Sequence, residues 1–196
     1  MEIFIDFDDT ITESTENVVR IVNRRYDRNV HPEDVHDWDW QDVYPGIPSK
    51  DISAVFGEEV FFNTLKFKPR AMEVLFKYSM RNNIVIVSKI IDRTAMINKT
   101  DWINKHLVDS GISVDFRGIK ITTSKGVIDM SGGIMVDDNA KYLNETNAKY
   151  KILFRNNTKF SIEQEWDGME VDNWTDLDKI MHKIIQKEKG ITNGKI

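Results

Sequence analysis

The chain has 196 residues, of which 40% are hydrophobic, and its formal net charge is -5. This length suits one α/β core with a small insertion and excludes two domains of ordinary size. The basic residues are dispersed along the sequence, which argues against a polymeric nucleic acid as a partner. The absence of cysteine excludes disulfides and thiolate metal sites. Because no apolar run approaches the roughly 18 residues of a membrane span, we expect a cytoplasmic protein without a membrane partner.

Four short apolar runs predict buried parallel strands, because β-branched or aromatic residues occupy consecutive positions instead of alternating ones. These runs lie at residues 3–5, 84–87, 134–136 and 152–154, and a weaker candidate covers residues 116–122. The segments between them show helical periodicity. Strands that alternate with helices indicate a Rossmann-like α/β fold with a doubly wound parallel sheet.

The predicted helices are amphipathic. In chain order, their apolar faces carry Val18, Val19, Val22 and Tyr26; Leu75 and Phe76; Trp102, Ile103 and Leu107; and Leu177, Ile180, Met181, Ile184 and Ile185. The third helix should stop at Gly111, since glycine tolerates the left-handed conformation of a helix end. The last helix should begin with Thr175 as its N-cap.

The chain between the first two strands is unusually long. About 78 residues separate them, whereas a crossover between parallel strands needs only about a dozen. The surplus predicts a small helical cap at residues 12–75, inserted into a core of residues 1–11 and 76–196. Aromatic residues of this cap, Trp40, Phe61 and Phe62 among them, either form its own core or hold an aromatic ring of a substrate. Since neighbouring side chains point in different directions, we expect one of Phe61 and Phe62 in the core and the other in a pocket.

Polar side chains follow three of the predicted strands, at the edge where open parallel sheets bind ligands. They are Asp6 and Asp8 after the first strand, Ser88 after the second, and Asp137 and Asp138 after the run at 134–136, with Lys120 and Lys125 ahead of that last pair. Two carboxylates about 4 Å apart repel by roughly 1 to 4 kcal/mol. A hard cation resolves this repulsion, and a carboxylate site without histidine or cysteine favours Mg²⁺.

These residues resemble, in their order along the chain, the four motifs of the haloacid dehalogenase (HAD) superfamily of phosphatases. The motifs are Asp-Phe-Asp-Asp-Thr at residues 6–10, Ser88, Lys125, and the Asp-Asp pair at 137–138. The resemblance implies that Asp6 is the nucleophile, which forms an aspartyl-phosphate, and that Asp8 is the general acid and base. Response-regulator receiver domains carry similar residues, but their acidic pair follows the first strand and their lysine comes last.

The same resemblance implies roles for the remaining motif residues. Ser88 and Lys125 would bind the phosphoryl group, and Mg²⁺ would be held by Asp6, the main-chain carbonyl of Asp8, and Asp137. Asp138 would support the lysine or a metal-bound water, and Thr10 would support the first motif. We prefer Lys125 to Lys120 because its distance from Asp137 fits the spacing of the superfamily. Asp9 replaces the usual glycine, and either caps the following turn, which we favour, or perturbs the pKa of its neighbours.

A narrower resemblance, to the 5'(3')-deoxyribonucleotidases, extends over most of the chain. It rests on residues 55–62, Lys-Thr-Asp-Trp at 99–102, Lys125, Val-Asp-Asp-Asn at 136–139 and Val-Asp-Asn-Trp at 171–174. This resemblance implies a nucleoside monophosphate as substrate, with cap aromatic residues holding the base. Two alternatives stay open: a phosphatase for a sugar phosphate or a nucleic-acid 3'-phosphate, and a non-hydrolytic phosphoacceptor or binding protein. The sequence also leaves open whether the protein forms a homodimer.

Overall fold

The computed structural model describes residues 1–36, 40–90, 92–120 and 124–190. Strands β1 to β6 span Glu2–Asp6, Asn83–Lys89, Val114–Lys120, Ile134–Asp137, Tyr150–Phe154 and Met169–Val171. Helices α1 to α8 span Ser14–Tyr26, Ser49–Ser53, Glu59–Thr64, Ala71–Ser79, Arg93–Ile103, Ala140–Glu145, Lys159–Glu163 and Trp174–Glu188. No helix in these ranges is long and apolar enough to cross a membrane.

The six strands form one sheet in the order β3-β2-β1-β4-β5-β6, and all the described strand pairs are parallel. Side chains on both faces are buried: Ile3 and Ile5 belong to one apolar cluster, and Phe4 between them belongs to another. This two-sided burial explains the unbroken apolar runs. The predicted doubly wound α/β fold is therefore confirmed.

The predicted strands agree with the structure except at the two edges of the sheet. The four apolar runs lie within β1, β2, β4 and β5. Strand β3 begins at Val114, two residues before the predicted strand at 116–122, whose last two residues lie outside the described ranges. Strand β6 was not predicted, because its three residues, Met169–Val171, include an exposed glutamate and give no apolar run.

Three details of the predicted helices differ from the structure. Tyr26 is 36% exposed and Phe76 is 47% exposed, so neither belongs to a buried helix face. Helix α8 begins at Trp174 rather than after Thr175, because the side chain of Asn173 caps it by accepting a hydrogen bond from the Asp176 amide. Gly111 has a φ of +84° and ends the helical segment that contains α5, as expected.

Helices α1 to α3 lie in the insertion between β1 and β2. The chain entering the insertion pairs with the chain leaving it through an antiparallel bridge between Thr12 and Phe67. The boundary predicted at residues 75 and 76 instead falls inside α4. That helix is tied to α8 of the core, since the Tyr78 hydroxyl donates a hydrogen bond of 2.9 Å to the carbonyl of Asp178.

The loop after β1 is fixed by Asp9, which has a left-handed φ of +54°. Its carboxylate accepts hydrogen bonds of 2.8 and 2.5 Å from the amide and hydroxyl of Thr15, in the first turn of α1. Asp9 therefore caps this turn, the role we favoured for it. Burial raises the pKa of the Asp9 carboxyl to about 6. From the other side, the Trp174 indole donates a 2.9 Å hydrogen bond to the carbonyl of Thr10.

Replacing Asp9 tests how this loop is held. Asp9→Ala removes the cap and leaves a β-carbon in the left-handed region, so we expect a loss of about 2 kcal/mol in the free energy of unfolding. Asp9→Gly removes the same cap, but glycine adopts the left-handed conformation without strain. Its loss in the free energy of unfolding should therefore be about 1 kcal/mol smaller. Urea denaturation measures both values. Equal stability of Asp9→Ala and the wild type would contradict the capping role.

Candidate active site

The site lies where the carboxyl ends of β1, β2 and β4 meet, at the point where the strand order reverses and open α/β sheets bind ligands. Asp6 pairs with Val87 of β2, and Ile5 pairs with Val136 of β4, so the residues that follow these strands emerge side by side. A cleft of about 780 Å³ opens above them. The insertion contributes Ser53 and Phe56 to its lining.

A buried lysine joins two of these strand ends. The Lys125 ammonium lies 2.5 Å from Oδ1 of Asp6 and 2.7 Å from Oδ2 of Asp137, and all three side chains are buried. Burial opposes the charge of Lys125, but Asp137 and Asp6 raise its pKa above the ordinary value. The structure thus brings the preferred lysine to the expected nucleophile. The side chain of Lys120 lies outside the described part of the chain.

Lys125 reaches this position from a short 3-10 turn at Lys125–Val127, which the Ser124 hydroxyl caps by accepting a 3.1 Å hydrogen bond from the Gly126 amide. The turn packs closely on the end of α6. A β-carbon at Gly126 would lie 2.7 Å from the carbonyl oxygen of Glu145. Glycine therefore permits the approach that places the lysine.

Asp6, Asp137 and Asp138 form a buried acidic triad, with one carboxylate oxygen of each within 4.8 Å of the others. Both oxygens of Asp137 are engaged, one by Lys125 and the other by the Asn139 amide at 3.0 Å. Oδ2 of Asp138 is buried without a hydrogen-bond partner among the described residues. Asp137, rather than Asp138, therefore contacts the lysine.

The three buried carboxylates repel one another, and a divalent cation would offset this repulsion. Burial raises the pKa of Asp6 to about 7. Burial, followed by the charges of Asp6, Asp9 and Asp137, raises the pKa of Asp138 well above its ordinary value. Clustered carboxylate oxygens of this kind are the ligands that Mg²⁺ prefers.

Asp8 lies on the other side of the cleft floor, within a group of polar side chains. Its carboxylate accepts a 2.5 Å hydrogen bond from the Lys99 ammonium and a 2.9 Å bond from the Ser14 hydroxyl. Lys99 also donates to the Ser88 hydroxyl at 2.9 Å, and that hydroxyl lies 3.4 Å from Asp8. The expected general acid and the expected phosphate-binding hydroxyl thus share one buried ammonium.

Sequence reasoning gave no role to Lys99. A signal was present, because Lys99 lies four residues after the buried Ala95 and three before the buried Trp102, on the apolar face of α5. A lysine on such a face is costly unless it has a partner. The partner here is Asp8, which is far away in sequence.

A second residue without a predicted role is Gln164, which follows α7. Its side-chain carbonyl accepts a 2.7 Å hydrogen bond from the Ala140 amide, and its side-chain amide donates a 2.9 Å bond to the carbonyl of Asp138. Gln164 therefore fixes the backbone of the loop that carries Asp138. No local pattern marks it, because its partners lie 24 and 26 residues earlier in the chain.

The aromatic residues expected to bind substrate lie away from the cleft lining. Trp40 and Phe61 are 0% exposed and Phe62 is 7% exposed, and all three pack in the apolar core. The expectation that Phe61 and Phe62 would divide between core and pocket is wrong, since their rings contact each other inside the insertion, with centroids 5.1 Å apart. Among the described aromatic residues of the insertion, Phe56 lines the cleft, and its ring centroid lies 5.4 Å from that of Phe61.

Comparison with known proteins agrees with this geometry. The family described as 5' nucleotidase, deoxy (pyrimidine), cytosolic type C protein (NT5C) matches residues 1–188. The chain belongs to this family. It is therefore a phosphatase of the HAD superfamily, and both the predicted superfamily and the likeness to deoxyribonucleotidases are confirmed.

Solved structures share the fold at low sequence identity. A predicted phosphatase from Clostridium acetobutylicum has a TM-score of 0.65 and 14% identity, over 93% of this chain and 98% of that chain. A HAD-superfamily hydrolase from Ehrlichia chaffeensis has a TM-score of 0.53 and 12% identity, over 94% and 97% of the two chains. A search of curated protein sequences finds no match.

Removing the Lys99 ammonium tests whether this nucleotidase-family protein uses it to position Asp8, the expected general acid. Lys99→Met keeps most of the side-chain volume, and we expect it to lower kcat/KM by roughly 10- to 100-fold. The loss in kcat/KM should be larger for an alkyl phosphate, whose leaving group needs a proton, than for p-nitrophenyl phosphate, whose leaving group needs none. The exposed Lys105→Met is the matched control. An equal loss for both esters would mean that Lys99 does not act through Asp8.

Metal removal should affect stability in a pH-dependent way. The pKa of Asp6 rises from 3.8 to about 7 in the folded protein, so its contribution to stability is present at low pH and is lost as the pH rises through about 7. A cation on the ionised carboxylates restores that loss. Mg²⁺ should therefore raise Tm, relative to EDTA, more at about pH 8 than at about pH 5.5. Thermal unfolding measures this difference, and equal increments at both pH values would contradict it.

Proposed function

We propose that this phosphatase requires Mg²⁺ and hydrolyses nucleoside 5'-monophosphates, deoxynucleotides included, through an aspartyl-phosphate on Asp6. The observation that carries the proposal is the arrangement of three residues at the cleft floor. Lys125 fixes one oxygen of Asp6, and the unpartnered oxygen of Asp138 lies within the same triad. A carboxylate held in this way can attack phosphorus, and the neighbouring oxygens can hold a cation.

In the first half-reaction, Asp6 attacks phosphorus and the bond from phosphorus to the ester oxygen breaks. Asp8 gives its proton to the departing alkoxide. In the second half-reaction, Asp8 takes a proton from water, whose oxygen attacks phosphorus. The bond between phosphorus and Asp6 then breaks, and inorganic phosphate leaves. Ser88 and Lys125 would bind phosphoryl oxygens in both halves.

The metal ligands we propose are the carboxylates of Asp6 and Asp138 and the main-chain carbonyl of Asp8. Asp137 would act through Lys125, to which it is bound at 2.7 Å. Mg²⁺, when bound, would neutralise charge on the nucleophile and on the phosphate. The protein groups around it supply the orientation.

The substrate class rests on the cleft and on the family. A volume of about 780 Å³ lies within the range of sites for small molecules. Phe56 and Phe160 offer apolar rings, and Asn144 offers an amide for the edge of a base. The family description names a cytosolic deoxynucleotidase, which supports a cytoplasmic location and a small nucleotide rather than a nucleic-acid polymer as the partner.

A monophosphate panel tests the substrate and the metal together. The purified protein should release phosphate from 5'-nucleotides faster than from 3'-nucleotides or sugar phosphates, and EDTA should abolish the release. A preference for sugar phosphates or 3'-phosphates would overturn the nucleotide proposal while keeping the chemistry. Accumulation of phosphoprotein without phosphate release would indicate a non-hydrolytic phosphoacceptor.

The nucleophile is tested by one substitution and its control. Asp6→Asn removes the attacking carboxylate, so we expect kcat to fall by roughly 10³-fold or more. Asp109→Asn makes the same chemical change at an exposed position outside the cleft lining and should leave kcat unchanged. Wild-type turnover by Asp6→Asn would rule out the proposed mechanism.

A further inference from the structure

Lys89 lines the cleft directly after Ser88, and the proposed chemistry does not use it. Consecutive residues of a strand point to opposite faces of the sheet. Val85 and Val87 pack in the cluster that contains Leu143 of α6, so Lys89, two residues further along β2, leaves the sheet on this α6 face. Ser88 leaves it on the opposite face, toward Lys99 of α5. The end of β2 thus presents a hydroxyl on one side and an ammonium on the other.

Tyr142 of α6 holds the Lys89 ammonium. The ammonium donates a hydrogen bond to the Tyr142 hydroxyl and lies 4.5 Å from the centre of the ring. The Lys125 ammonium lies 4.9 Å from the centre of the same ring. One half-buried tyrosine therefore contacts both ammoniums, and all three residues line the cleft that contains Asp6.

Lys89 differs from Lys99 and Lys125 in the charge of the group that it contacts. Lys99 is paired with Asp8, and Lys125 is paired with Asp6 and Asp137. Within the described ranges, no carboxylate oxygen lies within the 4.0 Å ion-pair distance of the Lys89 ammonium. A half-buried ammonium with a neutral partner is therefore available to an incoming anion.

We propose that Lys89, oriented by Tyr142, binds a non-bridging oxygen of the phosphoryl group that Asp6 attacks, on the side opposite Ser88. The inference rests on the proposed function, because it places the phosphoryl group at Asp6. It adds a second lysine to the phosphate site. Tyr142 is a positioning residue, which fixes the long side chain of Lys89 and so reduces the entropy lost when phosphate binds.

The test compares Lys89→Met with Lys89→Arg and with Lys105→Met, which removes an exposed lysine outside the cleft lining. Two substrates are used, a nucleoside 5'-monophosphate and p-nitrophenyl phosphate, and calorimetry measures the binding of inorganic phosphate. Lys89→Met should lower kcat/KM for both substrates by the same factor, roughly 10- to 100-fold, and weaken phosphate binding by a similar factor. Lys89→Arg should recover most of the loss, and Lys105→Met should cause little.

Tyr142→Phe keeps the ring and removes the hydroxyl. We expect it to raise KM for both substrates by a few fold while kcat changes less, because the ammonium is still present but is less well placed. A purely structural role would lower Tm without this split between KM and kcat.

Two results would overturn the inference while the proposed function stands. One is unchanged phosphate affinity in Lys89→Met, and the other is a loss confined to one leaving group, which would place Lys89 at the leaving group instead. If phosphate binding depends on Lys89 but no monoester is hydrolysed, the proposed function fails, and only the phosphate contact of Lys89 stands, without the attack by Asp6. A wild-type protein that neither binds phosphate nor hydrolyses esters would overturn both.

Discussion

The active-site geometry depends on one buried ammonium, that of Lys125, between the carboxylates of Asp6 and Asp137. Such a group is costly to bury unless its hydrogen bonds are satisfied. Two adjacent strands must therefore end level with each other, and the turn at Lys125–Val127 must approach them closely. The same ammonium orients the expected nucleophile and engages one oxygen of Asp137, whereas Oδ2 of Asp138 is buried without a hydrogen-bond partner among the described residues.

Polar groups are divided between the two faces of the sheet at this edge. Lys125, Tyr142 and Lys89 lie on the α6 side, whereas Asp8 shares a hydrogen-bonded group with Lys99 on the α5 side. This separation pairs Asp6 with Lys125 and Asp8 with Lys99. Strand alternation separates Ser88 from Lys89, since neighbouring residues of a strand point to opposite faces, whereas Asp8 lies in the turn that follows β1.

Much of this arrangement could be predicted from the sequence, because buried parallel strands leave unbroken apolar runs and the polar residues that follow them meet at one edge. What could not be predicted depends on contacts between distant segments. Adjacent aspartates look alike in a sequence, so only the structure shows that Asp137 rather than Asp138 meets the lysine. The hydrogen bonds between the Gln164 side chain and the loop that carries Asp138 join segments more than 20 residues apart. Phe56 and Phe61 are both aromatic residues of one insertion, and the way its short helices pack decides which of them lines the cleft.

The central claim is that Asp6 becomes covalently phosphorylated, and the Asp8→Asn variant tests it most directly. With p-nitrophenyl phosphate, whose leaving group needs no proton, the first half-reaction should proceed, whereas the second should slow because the base that activates water is missing. Acid quenching and peptide mass spectrometry should then find one added phosphoryl group on Asp6. A variant that turns over the ester with no phosphorylation at Asp6, or with the group on another residue, would contradict the account.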